Sequence, residues 1–189
     1  MYEMFSKKEL IELKNKLEKL EKKEIDLIVS DFDDTIFSTR EMLEKDIRNG
    51  RRWDEWNIYL LENNLINKCI SECYSNKIFP KNIISKFRKN HDLILTKGIK
   101  EFQEPKLKAT WTDIFNYIIT ETPEEKISET IKYVINTLWF IPNKITVYED
   151  RPKYFIEYKD FMENLLWIEI EIMFVEMNGN NNEPKITKI

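Results

Sequence analysis

The sequence predicts an α/β fold, in which a doubly wound, mostly parallel sheet of five strands is covered by helices. Two observations predict this fold class. Short apolar runs alternate with helical segments along most of the chain, and two of these runs lack the alternation of a strand with one wet face. A chain of 189 residues, 42% of them hydrophobic, is long enough for one core domain and a small insert.

The first element is an amphipathic helix. Leu10, Leu13, Leu17 and Leu20 recur every three or four positions among lysines and glutamates, which predicts a helix over residues 6–23. We expect this helix to pack on the core, because a coiled coil needs more heptads than the segment offers.

Five apolar runs then predict strands at residues 25–30, 92–96, 115–120, 145–148 and 167–175. In the last run isoleucine alternates with glutamate over residues 168–172, which indicates an edge strand with one wet face. Between the third and fourth runs, Thr122 and Pro123 predict the start of a helix whose apolar stripe begins at Ile127.

The segment of residues 39–90 breaks this alternation, since its tryptophans, leucines and isoleucines recur mainly at helical spacing. We interpret it as a small helical cap inserted after the first strand, in a core made of residues 1–38 and 91–177. Residues 178–189 are polar and rich in turn-forming residues, so a loose tail is expected.

Several cap side chains suit stacking on a ligand or contacts with its charged groups, although we favour the tryptophans as cap core and the arginines as its solvated face: Arg48, Arg51, Arg52, Trp53 and Trp56. Cys69 and Cys73, with His91 as the one further soft ligand, are too few for a structural zinc site. We therefore expect buried free thiols, and we expect His91 to be an ordinary surface residue.

Charge and hydropathy exclude several classes of function. The formal net charge is only -4 although 34% of the residues are charged, so a dominant nucleic-acid-binding surface is not indicated. No apolar run approaches the roughly 20 residues of a spanning helix, and the first residues are not those of a signal peptide. We expect a soluble, cytoplasmic protein without membrane contact. The oligomeric state does not follow from the sequence.

Polar residues cluster where the predicted strands end. Asp31 and Asp33 follow the first strand, Thr96 closes the second, and Glu149 and Asp150 follow the fourth. Because ligands of open α/β sheets bind beyond the carboxyl ends of the strands, these side chains are the candidate site.

Carboxylates gathered in this way suit phosphoryl transfer. One carboxylate can attack phosphorus, and a hard cation such as Mg²⁺, with its preference for oxygen ligands, screens the two anions from each other. A second acid can protonate the leaving oxygen and later deprotonate the attacking water. A hydroxyl group and a lysine would stabilise the remaining phosphoryl oxygens.

Residues 27–35, Leu-Ile-Val-Ser-Asp-Phe-Asp-Asp-Thr, resemble the first motif of the haloacid dehalogenase-like (HAD) superfamily, an apolar strand followed by Asp-x-Asp-x-Thr. The resemblance implies a Rossmann-like core and a Mg²⁺-dependent phosphohydrolase. It implies Asp31 as nucleophile and metal ligand. It also implies Asp33 as general acid/base that offers its backbone carbonyl to the metal.

The other HAD motifs follow in order along the chain. The resemblance implies that Thr96 binds phosphate and that Glu149 and Asp150 complete the metal site, with either acid as the direct ligand. The family's lysine is best matched by Lys126, before the fourth strand, which should approach the nucleophile. Lys106 and Lys108 are rivals for this phosphate-binding role at a less usual place in the chain, and Lys106 is the main alternative to Lys126.

Residues 148–152, Phe155 and the last predicted strand are similar to the HAD domain of the Swiss Army Knife RNA repair proteins. Three functions are therefore compared. The leading expectation is a phosphomonoesterase for a small phosphorylated metabolite or nucleotide. The alternatives are a phosphatase that processes nucleic-acid ends, which the acidic balance disfavours, and a non-catalytic HAD-fold interaction module, which the intact acids disfavour.

Overall fold

The protein is described by a computed structural model, which covers residues 4–39, 42, 47–75, 81–177 and 184–189. Its helices are α1 Lys7–Leu17, α2 Trp53–Glu62, α3 Ile66–Cys73, α4 Lys81–Ile84, α5 Lys100–Ala109, α6 Glu125–Tyr133, continued by a π-helical turn at Val134–Leu138, and α7 Lys153–Leu166. Its strands are β1 Leu27–Ser30, β2 Leu93–Lys97, β3 Asn116–Thr120, β4 Lys144–Glu149, β5 Glu169–Glu176 and β6 Lys185–Lys188.

The strands form one sheet in the order β3-β2-β1-β4-β5-β6. The first five in this order are parallel, so the predicted α/β class with a mostly parallel sheet is confirmed. The predicted number of strands is wrong, because β6 adds a sixth strand, antiparallel to β5. Strand β1 lies between β2 and β4, and the carboxyl ends of these three strands therefore meet at one edge.

The sixth strand corrects two further expectations. Residues 185–188 belong to the sheet, whereas a loose tail was expected over 178–189, of which 178–183 lie outside the described residues. Strand β5 is consequently not an edge strand. Its alternation reflects one polar face, on which Glu171 accepts from Lys144 of β4 and Lys188 of β6. This cross-strand charge ladder explains the glutamates of β5.

Hydrophobic cores cover both faces of the central strands, which explains why the first and fourth runs show little alternation. On one face, Leu93 and Leu95 of β2 pack in a core with α1, α6 and α7. On the other face, Ile94 packs in a second core with α2, α3 and α5. The helices between β1 and β2 thus cover one face of the sheet.

The N-terminal helix is shorter than predicted. Ser6 and Glu9 form a capping box, and α1 ends at Leu17 rather than near residue 23. Leu13 and Leu17 are buried in the core, as expected for a packed helix. Helix α6 likewise begins at Glu125, after the predicted Pro123 start.

A bilayer-spanning segment is absent from the residues that the structure describes, where no helix combines the required length and hydropathy. Neither Cys69 nor Cys73 forms a disulfide bond among the described residues, and both are buried in the second core.

Candidate active site

The candidate site lies at the carboxyl edge of the three central strands. Asp31 directly follows β1, and its backbone N–H donates to the carbonyl of Tyr148 in β4, with N and O 2.9 Å apart. Glu149 is the last residue of β4, and Thr96 is the second-to-last residue of β2. The parallel pairing of β1 with β2 and β4 therefore carries these side chains to the same edge.

Three acids form a cluster at this edge. Carboxylate oxygens of Asp31, Glu149 and Asp150 lie within 4.8 Å of one another, in partly or fully buried positions. Burial, and after it the Asp31 charge, raises the pKa of Glu149 well above its ordinary value and that of Asp150 to about 6. Since a cation would relieve this repulsion and oxygen donors suit hard metals, the cluster can hold a metal ion.

Lys126 supplies a positive charge to the cluster. Its ammonium nitrogen is 2.9 Å from Oδ1 of Asp31 and 2.8 Å from Oε2 of Glu149, and its side chain is 7% exposed. Burial alone would lower the pKa of Lys126, but the Asp31 and Glu149 carboxylates outweigh burial and raise it. The structure thus places Lys126 beside the candidate nucleophile as a charged group.

Lys106, the rival lysine, contacts a different acid. It is fully buried, and its ammonium nitrogen lies 2.5 Å from Oδ2 of Asp33. The rings of Phe32, Tyr74 and Phe102 surround it, with centroids 5.0, 5.6 and 5.4 Å away. Lys106 therefore pairs with Asp33, and the three surrounding rings restrict the position of its ammonium group.

The Asp33 carboxylate lies outside the three-acid cluster because its side chain turns towards Lys106. Burial raises the pKa of Asp33 above its ordinary value, although the Lys106 ammonium acts in the opposite direction. Asp33 still lines the cleft beside Asp31, with its Oδ2 atom bonded to Lys106 and its Oδ1 atom buried without a hydrogen-bond partner among the described residues. Two acids of one motif thus have two separate lysine partners.

Thr96 is held by a glutamine that the sequence did not single out. Its hydroxyl donates to Oε1 of Gln103, 3.1 Å away, and Nε2 of Gln103 donates to the carbonyl of Lys97, 3.0 Å away. Gly98, with a φ of +149°, allows this approach, because a Cβ there would collide with the Gln103 amide. The chain has only three glycines, so Gly98, two residues after Thr96, was the sequence signal for a close side-chain contact at this point.

The acids open into a cleft of about 410 Å³. The segment between β1 and β2 forms a wall of this cleft through Arg48, Arg52, Trp53, Asp54 and Asn57. Trp56 instead is buried and stacks on Tyr59, as expected for a structural residue.

Two further polar residues have structural contacts. Arg151 forms an ion pair with Asp150, with Nε and Oδ2 3.4 Å apart, while most of its side chain is exposed. The His91 ring lies outside the cleft, where Nε2 is 2.8 Å from the carbonyl oxygen of Asp26. His91 therefore ties two loops together at a distance from the acids.

The chain matches no family model, no curated protein and no solved structure.

Proposed function

We propose that the protein is a Mg²⁺-dependent phosphohydrolase of the HAD type that hydrolyses phosphomonoesters through an aspartyl-phosphate intermediate. The observation that carries the proposal is the contact of Asp31 with Lys126 inside the cluster completed by Glu149 and Asp150. A nucleophilic carboxylate needs nearby positive charge, because it must approach an anionic phosphoryl group.

The first half of the reaction belongs to Asp31 and Asp33. The Asp31 carboxylate attacks phosphorus and forms an acyl phosphate, while the bond from phosphorus to the leaving oxygen breaks. Asp33 in its acid form donates a proton to that oxygen, which leaves as an alcohol. The raised pKa of Asp33 favours the protonated form that this step needs.

The second half releases phosphate. Water attacks the acyl phosphate, Asp33 as a carboxylate accepts a proton from that water, and Asp31 is regenerated. Lys126 on α6 and Thr96 near the end of β2 both line the cleft, and both would bind phosphoryl oxygens. Thr96 would then exchange its hydrogen bond to Gln103 for one to the phosphate.

A metal ion suits the same place. Asp31, Glu149 and Asp150 would hold it, and Mg²⁺ is the expected ion because it prefers a few carboxylates together with water and phosphate oxygens. When bound, the ion would screen the charge between nucleophile and phosphate.

The expected substrate is a small phosphorylated metabolite or nucleotide. Lysines and arginines do not outnumber acids along the chain, whose pI is about 5.3, and long nucleic acids need several cationic contacts at once. A phosphatase for RNA or DNA ends is therefore the second candidate, supported only by the resemblance of residues 148–152 to RNA repair proteins.

The test is hydrolysis of para-nitrophenyl phosphate with and without Mg²⁺. We expect metal-dependent turnover that is lost in Asp31→Asn, because an amide is a poor nucleophile. Asp113→Asn, the same change at an exposed position, is the matched control and should keep wild-type turnover. Full activity of Asp31→Asn would exclude Asp31 as the nucleophile.

A second substrate tests Asp33. Asp33→Asn should slow phosphoryl transfer from an alkyl phosphate by about 100-fold or more, and from the aryl phosphate far less, because only the alkoxide needs a proton to leave. Equal losses on both substrates would contradict the general-acid role.

A further inference from the structure

The wall of the cleft next to α2 is cationic. Arg48 and Arg52 both line it, and among the described residues no acidic side chain forms an ion pair with either guanidinium group. Glu55 contacts Arg52 only through the backbone N–H of Arg52. Asp54, the acid on the same wall, is engaged by Lys97 of β2, whose Nζ lies 3.1 Å from Oδ1 of Asp54. Two positive charges therefore face the cleft in addition to those around the strand ends.

The contacts of Arg48 indicate what these charges bind. Its guanidinium carbon lies 4.5 Å from the centroid of the Trp53 ring, which orients the planar group and leaves its edge N–H donors free for a ligand. A nucleobase that stacked on this face of Trp53 would first have to displace Arg48. An oxyanion, by contrast, matches the fork of N–H donors directly.

A third side chain of this wall has an unmet hydrogen bond. Asn57 is only 8% exposed and lines the cleft, and its Oδ1 atom has no hydrogen-bond partner among the described residues. This Oδ1 atom has almost no accessible surface, so the two arginines, and not Asn57, provide the polar contacts that a ligand on this wall can reach.

We infer that the cleft selects small phosphomonoesters whose leaving group carries a second anionic group. This inference rests on the proposed function for the reacting phosphate and adds the chemistry of the leaving group. Arg48 and Arg52 bind the second anion, which is a carboxylate or a further phosphate. A cleft of about 410 Å³ is within the usual range for such ligands.

The first experiment measures binding and does not depend on turnover. Phosphonoacetate and its longer homologues, which cannot be hydrolysed, are compared by calorimetry with alkylphosphonates of the same chain length in the presence of Mg²⁺. We expect at least one carboxylate-bearing ligand to bind about 10-fold more tightly than its neutral counterpart. Alkane bisphosphonates of the same lengths then distinguish a carboxylate from a second phosphate.

Variants assign the preference to the wall. Arg48→Met with Arg52→Met should abolish it, and Arg48→Lys should weaken it, because a lysine keeps the charge but loses the two-pronged geometry. Arg51→Met is the matched control, since Arg51 stacks on Tyr59 and does not line the cleft. Thermal denaturation checks that each variant is folded, and the single Arg52→Met variant replaces the double variant if that one unfolds.

The outcomes separate this inference from the proposed function. Hydrolysis of para-nitrophenyl phosphate without any preference for the dianionic ligands would retain the phosphatase and overturn the anion subsite. An arginine-dependent preference without hydrolysis of any phosphomonoester would retain the subsite and reject the phosphatase. A preference that survives in the arginine variants, or tighter binding of a phosphorylated dinucleotide than of every small ligand, would also overturn the inference.

Discussion

Replacing Lys126 by methionine tests the electrostatic core of the site, independently of any activity. Methionine keeps most of the length of the side chain but removes the ammonium group. Asp31 and Glu149 would then face each other with no positive partner, in positions where their side chains are 12% and 5% exposed. We expect a large loss of stability in the metal-free protein.

The size of this loss follows from the two contacts of 2.9 and 2.8 Å. Coulomb's law with an effective dielectric constant of about 20 assigns roughly 6 kcal/mol of attraction to each contact. Removing the lysine also removes the cost of burying its charge, so the net loss is smaller. Measured losses for breaking a buried pair suggest that the free energy of unfolding falls by about 3–5 kcal/mol.

Urea denaturation of the metal-free protein near neutral pH measures this change, with Lys132→Met as the control. Lys132 lies on the same helix, but its side chain is 44% exposed and pairs with Glu129 on the surface. A surface pair of this kind contributes about 0–1 kcal/mol, so the control should unfold almost like the wild type.

Two conditions should reduce the deficit of Lys126→Met. If the proposed Mg²⁺ site exists, saturating Mg²⁺ would supply positive charge to the same carboxylates and would bind only the folded protein. Acidification below the raised pKa of Glu149 protonates that side chain, so the deficit is present above this pKa and shrinks as the pH falls through it. A loss below about 1 kcal/mol, or one that neither Mg²⁺ nor acid changes, would refute the electrostatic reasoning.

Three further predictions concern neighbouring features. Lys106→Met should slow hydrolysis of an alkyl phosphate more than that of an aryl phosphate, because the lysine contacts Asp33; an equal effect on both would indicate phosphate binding instead. Gly98→Ala should destabilise the protein by about 1–3 kcal/mol in urea titrations, more than Gly50→Ala, since an added methyl overlaps a side-chain amide only at Gly98. The pKa of Asp150 is about 6 in the folded protein against an ordinary 3.8, so the melting temperature of the metal-free protein should fall as the pH rises between these values. Mg²⁺ should raise the melting temperature more above that pH range than below it, and calorimetric scans at several pH values check both trends.

Much of the fold could be predicted because its signals are local. The predicted positions of the parallel strands agree with the observed ones within a few residues. Apolar runs and helical periodicities can be recognised in short stretches of sequence, without knowledge of the tertiary structure. The sixth strand was missed because residues 185–188 are polar and short, and they join the sheet only by pairing with β5. A polar strand of this kind has no local signal that distinguishes it from a loop.

The acids of the candidate site could also be predicted from the sequence. Asp31 follows β1 and Glu149 ends β4, and parallel strands that are neighbours in a sheet bring their carboxyl ends together. The sequence alone therefore determined which acids could meet. It did not determine that Gln103 would hold Thr96, because that contact depends on the close packing of α5 against the end of β2.

The partners of the acids were decided only by the tertiary structure. Lys126 is on α6, which packs in the core on one face of the sheet. Lys106 is on α5, which packs in the core on the other face. Either lysine was a candidate for Asp31 in the sequence, because a side chain's charge does not reveal the face from which it approaches. The packing of the two helices decides this, and it assigns Lys126 to Asp31 and Lys106 to Asp33.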